Sequence, residues 1–228
     1  IIIGAGSAGC VLANRLSADP KTTVCLIEGG GSDKSPWVQI PAGLSVAYDH
    51  KKLDYAYKGV PQKKLNNRVI TVNRGRCLGG SSSINGMIYI RGQAKDFDLW
   101  AQAGATGWDW ESVKPYFVGS VDQSRGPSPW HSTKGPLRLE DIKFKLPVCD
   151  ALITAGITMG LAYNEDFNSA DQEGIGYYQT TMRNGRRWSA ANAYLDGIKN
   201  RANLTIKTQA PIDRIVFDKD RAIGVIAN

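Results

Sequence analysis

Gly4, Gly6 and Gly9 stand at the spacing G-x-G-x-x-G, directly after the β-branched run Ile1-Ile2-Ile3 and directly before a helical pattern. That order suits the pyrophosphate of a dinucleotide. Gly4 permits a tight turn, Gly6 lets the backbone approach phosphate, and Gly9 lets helix and strand pack closely. The N–H groups of the helix start, together with its dipole, then face the phosphates. With 25 glycines in 228 residues the spacing alone is weak. Its context strengthens it. Val24-Cys25-Leu26-Ile27 reads as a second strand, and Glu28 ends it, 19 positions after Gly9. A carboxylate there accepts hydrogen bonds from a ribose diol and repels a 2′-phosphate, which disfavours NADP. FAD and NAD both satisfy these residues. The bland alternative is a plain βαβ unit with a Gly-rich turn.

A second stretch of the same chemical type runs from Arg74 to Ile88, Arg-Gly-Arg-Cys-Leu-Gly-Gly-Ser-Ser-Ser-Ile-Asn-Gly-Met-Ile. The Gly79-Gly80 pair and three serines offer backbone amides, hydroxyls and little bulk, suited to phosphate or to a planar ring. Composition alone equally allows a Gly/Ser loop that opens a buried helix.

The run Gly75 to Asp98 resembles the first signature of the glucose–methanol–choline (GMC) flavoprotein oxidoreductases. Gly75-Arg76, Leu78-Gly79-Gly80-Ser81-Ser82, Ile84-Asn85, Tyr89, Gly92 and Asp98 fall at its spacing. The similarity continues through Gly107-Trp108-Asp109-Trp110, His131 with Gly135-Pro136-Leu137, Gly174 to Thr181, and Gly185 to Ala191. It is closest in kind to choline and alcohol dehydrogenase-like members. The resemblance implies an α/β (mixed α+β) fold, a Rossmann-type FAD-binding domain with an inserted substrate-domain sheet and helices. It implies FAD with Gly4, Gly6, Ser7 and Ala8 along the pyrophosphate and Glu28 at the adenosine ribose. Gly79 and Gly80 would approach the phosphates, Asn85, Gly86, Met87 and Ile88 the isoalloxazine, and the Ile212 backbone the adenine. Ile84 stands where some members carry a flavin-linked histidine, so non-covalent FAD is expected.

The activity implied is oxidation of an alcohol by hydride transfer to flavin N5, with a base taking the hydroxyl proton. In the family that base is a histidine in the C-terminal half. Here only His50 and His131 exist. His50 reads as a solvated loop residue and His131 as a turn residue, so no catalytic residue is assigned. A flavin-containing hydroxynitrile lyase, a catalytically incomplete FAD- or NAD-binding module and a simple NAD-dependent dehydrogenase are the rivals. The last does not explain the Gly75–Asp98 signature. Family members are more than twice this length, so the C-terminal part is expected to be missing, together with the catalytic segment. That missing segment of the same protein is the expected partner, beside a small-molecule alcohol.

The remaining chain reads as follows. Residues 1–135 form the FAD-binding domain, with an irregular, lid-like excursion at about 35–66. Residues 136–200 form part of a substrate-binding domain, and 201–228 return to the first. Helices are expected at Asp96–Ala103, Glu111–Val118, Val148–Met159 (after Pro147) and Ser189–Lys199. Strands are expected at Arg68–Val72, Leu137–Leu139, Ile175–Met182 and Leu204–Ile206, and a hairpin at Ile212–Phe217 with Ala222–Ala227. Trp108 and Trp110 read as packing anchors, as do Trp37, Tyr178 and Trp188. Ser120–Gly135 reads as a surface loop.

The net charge is +7, from 28 basic and 21 acidic residues. The basic residues are scattered in short clusters such as Arg183 to Arg187, which reads as a solvated basic surface and not as a nucleic-acid interface. Four cysteines lack C-x-x-C spacing, so neither a disulfide scaffold nor a metal site is expected, and reduced thiols point to the cytoplasm. No apolar run approaches the ~18 residues that span a bilayer, so membrane association is not expected. The chain begins within a strand without methionine, as a piece of a longer polypeptide would.

Overall fold

The computed structural model describes residues 1–227. It divides into two compact units: residues 1–86 together with the stretch from Arg186 onward, and residues 87–185. These units part after residues 86 and 185, whereas the expected boundaries fall after residues 135 and 200.

In the first unit, β1 (Ile2–Ile3), β2 (Val24–Ile27) and β3 (Leu204–Lys207) form a parallel sheet in the order β1-β2-β3, with Ile2 opposite Leu26 and Leu26 opposite Ile206. Val24, Leu26 and Ile27 are buried, as a parallel strand covered on both faces requires. Helix α1 (Ser7–Leu16) crosses between β1 and β2 and buries Gly9, Cys10 and Ala13. Its last turn closes where Ser17 Oγ donates to the Ala13 carbonyl at 2.7 Å, ahead of Asp19 and Pro20. The core joins Ala5, Cys10, Ala13, Val24 and Leu26 to Leu78, Ala190, Ala191, Tyr194, Leu195, Ile198 and Leu204. The helix expected over Ser189–Lys199 covers only Ala190–Tyr194; Ser189 and Asn192 form a capping box at its start, and turns follow it. The hairpin is as read: Ile212–Asp218 pairs antiparallel with Arg221–Ala227. Asn228, the last residue of the expected 201–228 segment, lies outside the described residues.

The 35–66 excursion is made of short pieces, Pro36–Gln39, Pro41–Gly43 and Leu44–Ala47 among them, around a small core of Val38, Ala47, Leu53, Cys77 and Ile84. Asp54 pins its far side by accepting N–H groups from Asp49, Ala56 and Arg74. Of the strand expected over 68–72, Thr71–Val72 pairs with Tyr57–Lys58, and Arg68 makes an isolated bridge to Gln62.

In the second unit, Ala94–Gln102 and Trp110–Ser120 are helices, the latter capped by the Asp109 carboxylate on Ser112 N–H at 3.0 Å. Phe97, Trp110, Phe117 and Trp130 cluster with ring centroids 5.5–6.5 Å apart. Trp110 is thus a packing anchor, whereas Trp108 is largely exposed. Trp37 and Tyr178 are also more exposed than packing anchors would be. The expected surface loop at 120–135 begins with a strand, Val121–Gln123, pairing parallel with Leu137–Leu139, and Val121 is fully buried. The helix after Leu146 spans Pro147–Thr158; Val148, Leu152 and Met159 are exposed, while Gly156 packs against Ile175. Residues 175–182 make isolated bridges at Ile175 and Thr180 rather than a continuous strand.

Candidate nucleotide-binding site

The glycine turn follows β1 directly. Gly4 has φ +86°, a left-handed value that favours glycine, and its N–H donates to the Ile27 carbonyl at 2.7 Å. Gly9 brings α1 against this turn so closely that a Cβ there would lie 1.9 Å from the Gly4 carbonyl oxygen. Gly6 is the N-cap, and around its own absent Cβ nothing lies within 4 Å. No side chain caps α1 and no acidic residue stands in its first turn.

Glu28, at the end of β2, is buried. Its Oε2 accepts Ala5 N–H at 2.8 Å and its Oε1 accepts Gly30 N–H at 2.7 Å. Each carboxylate oxygen can accept a further donor. The Arg74–Asn85 stretch lies against the same turn: Gly79 N–H donates to Ala5 O at 2.8 Å, and a Cβ on Gly80 would come within 2.7 Å of Gly6 Cα. Gly80 to Ser83 form a single 3-10 turn.

These elements line one cleft of about 480 Å³, walled by Gly4, Gly6, Glu28, Gly80 and Ile212 among others. Ser7 and Ala8 are exposed on the first turn of α1, and Gly79 lies buried behind the wall. Asn85 and Gly86 are exposed in the same unit; Asn85 is held by Arg187. Met87 and Ile88 belong to the second unit. Met87 is buried at φ +63°, its carbonyl accepting Thr181 N–H at 2.8 Å, and Ile88 bridges Thr180.

Sequence reasoning missed Tyr55, Tyr57, Arg74, Ser81 and Pro211 on the cleft wall. The tyrosine rings stack at 5.2 Å and 4°, and the Arg76 guanidinium lies 5.4 Å from the Tyr55 centroid. Their i, i+2 spacing beside a strand was a usable signal. Arg187 was also missed. Within the basic run 183–187 it is not a solvated residue but one of the most buried side chains, 1% exposed.

Neither histidine is among the residues that line this cleft. His131 is buried in the second unit, where Nε2 lies 2.7 Å from Asp166 Oδ2 and Nδ1 lies 3.4 Å from Arg91 Nη2. It closes the 128–131 turn, as expected, through its backbone bonds with Ser128, and its side chain joins a buried network. His50 is half-buried in the first unit and accepts Lys52 N–H on Nδ1. Among the described residues no cluster of His, Cys, Asp and Glu could hold a metal ion, and no helix is long and apolar enough to cross a membrane.

A dinucleotide fits this donor set. The cleft offers Cβ-free walls, a helix start without a side-chain cap and a buried carboxylate at the strand end. The chain is similar to known proteins. The chain is 44% identical to an alcohol dehydrogenase [acceptor] of Pseudomonas putida over 226 residues, 99% of this chain and 41% of that protein. It is 46% identical to an oxygen-dependent choline dehydrogenase of Rhizobium etli over 225 residues, again 99% and 41%. The chain therefore spans about 41% of the length of these curated relatives. A solved FAD-dependent oxidoreductase from Chaetomium thermophilum superposes with a TM-score of 0.90 at 29% identity, covering 100% of this chain and 41% of that one. The family model described as GMC oxidoreductase matches residues 1–228, and the chain belongs to that family.

Proposed function

We propose that this chain holds FAD and contributes to a protein that oxidises an alcohol to an aldehyde or ketone. The observation that carries the reading is convergence: the glycine turn, Glu28 and Gly80, distant in sequence, meet at one cleft, with Gly79 bonded to the turn behind its wall. Bound FAD supplies the hydride acceptor. The chain's own residues bind and orient. Backbone N–H groups at Gly6, Ser7 and Ala8 face the pyrophosphate, and the lone pairs left on Glu28 take the ribose diol. The Ile212 segment closes the adenine end, and Asn85, Gly86, Met87 and Ile88 serve the ring.

Ile84 is a buried hydrocarbon at the position where a linking histidine would stand, which supports non-covalent attachment. His131 is committed to Asp166 and Arg91, so the base that takes the hydroxyl proton is assigned to the remainder of the family's length. Residues 136–200 are assigned to the substrate side, and four free thiols support a cytoplasmic setting. Choline-type and other alcohols fit equally. An absorbance spectrum of the purified full polypeptide tests the reading. Flavin bands that bleach on anaerobic addition of an alcohol, with flavin released by denaturation, are expected. A colourless protein that fails to take up added FAD overturns it.

A further inference from the structure

Arg187 is the largest fully buried side chain of the first unit. It is 1% exposed, and no carboxylate of the described residues pairs with it. Its Nε donates to the Val38 carbonyl at 2.8 Å. Its Nη1 donates to the Asn85 carbonyl at 2.7 Å, to Asn85 Oδ1 at 2.9 Å and to the Ser82 carbonyl at 3.2 Å. Its Nη2 is buried without a hydrogen-bond partner. All its acceptors are neutral. Stability alone does not account for such a group, since an apolar side chain of similar volume avoids the desolvation.

The acceptors share a location. Ser82 and Asn85 carry carbonyls at the C-terminal side of the Gly80–Ser83 turn, the groups that a helical end leaves unpaired. The other end of that turn, Gly80 and Ser81, lines the nucleotide cleft, with Gly80 against Gly6. Ser82 Oγ, meanwhile, accepts Ala190 N–H at 2.9 Å, which ties the turn to the residues just after Arg187. Val38, on the short Pro36–Gln39 helix, is the fixed point on the opposite side. One guanidinium therefore links the excursion to the carbonyl end of the turn whose other end meets the cofactor.

We infer that Arg187 is a positioning residue for the cofactor: a buried cation that holds the Gly80–Asn85 segment in the register that FAD binding needs. The inference rests on the FAD reading above and adds to it a residue outside the cleft wall. Lysine keeps the charge but not the fork of donors, whereas methionine keeps volume and loses both.

The test uses the full polypeptide stripped of flavin, with R187M and R187K beside the wild type. Readouts are the FAD dissociation constant, the vibronic shape of the bound flavin's visible band, and urea unfolding of the apo form. The expected result is a loss of affinity of about tenfold or more in R187M, at urea concentrations where its apo form is fully folded, with a blurred flavin band. R187K is expected to recover part of the affinity and of the band shape. Wild-type affinity and band shape in R187M overturn the inference and leave the FAD reading intact. Loss of affinity in R187M and R187K alike, tracking apo unfolding with an unchanged band, also overturns it. A wild type that takes up no FAD overturns both.

Discussion

Glu28 Oε2 accepts the Ala5 backbone N–H at 2.8 Å, so the end of the second strand is bonded to the middle of the glycine turn. The carboxylate therefore shapes the turn, and under the proposed FAD reading its outer lone pairs have a second duty toward a diol. Removing its charge should be felt even without a ligand. In E28Q one oxygen remains, and an NH2 group confronts a backbone N–H that had an acceptor. We expect a loss of about 1–3 kcal/mol in urea unfolding of the apo protein, together with weaker FAD binding. Apo stability equal to the wild type would separate the two duties and remove the first.

Gly6 and Gly9 should respond oppositely to alanine. At Gly9 the new methyl would lie 1.9 Å from the Gly4 carbonyl oxygen, a backbone atom that cannot give way, so G9A should lose about 3 kcal/mol or fail to accumulate. At Gly6 nothing within 4 Å opposes the methyl, and the backbone is extended. G6A should unfold within about 0.5 kcal/mol of the wild type. Its methyl would nevertheless stand in the cleft, and FAD affinity should fall about tenfold or more. Parallel urea and FAD titrations of the two variants check the contrast.

Cys10 and Cys77 are buried, and burial pushes each thiol up from 9.0 to about 12. A thiol whose folded value is raised holds its proton while the unfolded chain releases it. The stability it contributes is whole below pH 9 and is lost as pH rises toward 12, at about 1.4 kcal/mol per pH unit for each thiol. Urea unfolding between pH 8 and pH 10.5 should show this decline, reduced in C10A. Thiol labelling at neutral pH should leave both unmodified until denaturant is added.

Asp54 behaves in the other direction. Burial alone would raise its carboxyl, but hydrogen bonds from the Asn73 side chain and from the Ala56, Arg74 and Asp49 amides hold it below the usual value of 3.8. Its contribution is present above the unfolded value and is lost as pH falls through the lower folded one. D54N should flatten the acid limb of the stability profile and expose residues 49–75 to proteolysis at neutral pH. An unchanged cleavage pattern would count against Asp54 as the pin of this segment.

The sequence made the β1–α1–β2 path and its glycines readable because a local motif fixes them. The hairpin from Ile212 was equally local. What it hid depended on distant partners. His131 pairs with Asp166, 35 residues on, and no spacing rule connects them. Arg187 sat in a basic run that looked solvated, yet its acceptors are Val38, Ser82 and Asn85, more than 100 residues earlier. Periodicity did not disclose the exposure of Val148, Leu152 and Met159: spacing reports that a helix has an apolar stripe, not that the chain in hand covers it. Ile175 to Met182 alternated like a strand, but bridges at two residues hold it rather than a ladder.

The first unit is discontinuous, and this has a consequence for the order of events on the ribosome. Cys10, Val24 and Leu26 share their core with Tyr194, Leu195, Ile198 and Leu204, and β2 finds its second neighbour only at β3. The intervening residues 87–185 have internal contacts of their own and can condense as they emerge. The opening strands must therefore wait, unprotected, until the far end of this stretch is synthesised. A nascent chain arrested before Ala190 would be a folded insert on an unfinished host, and the apolar opening strands would be the part that recruits a chaperone.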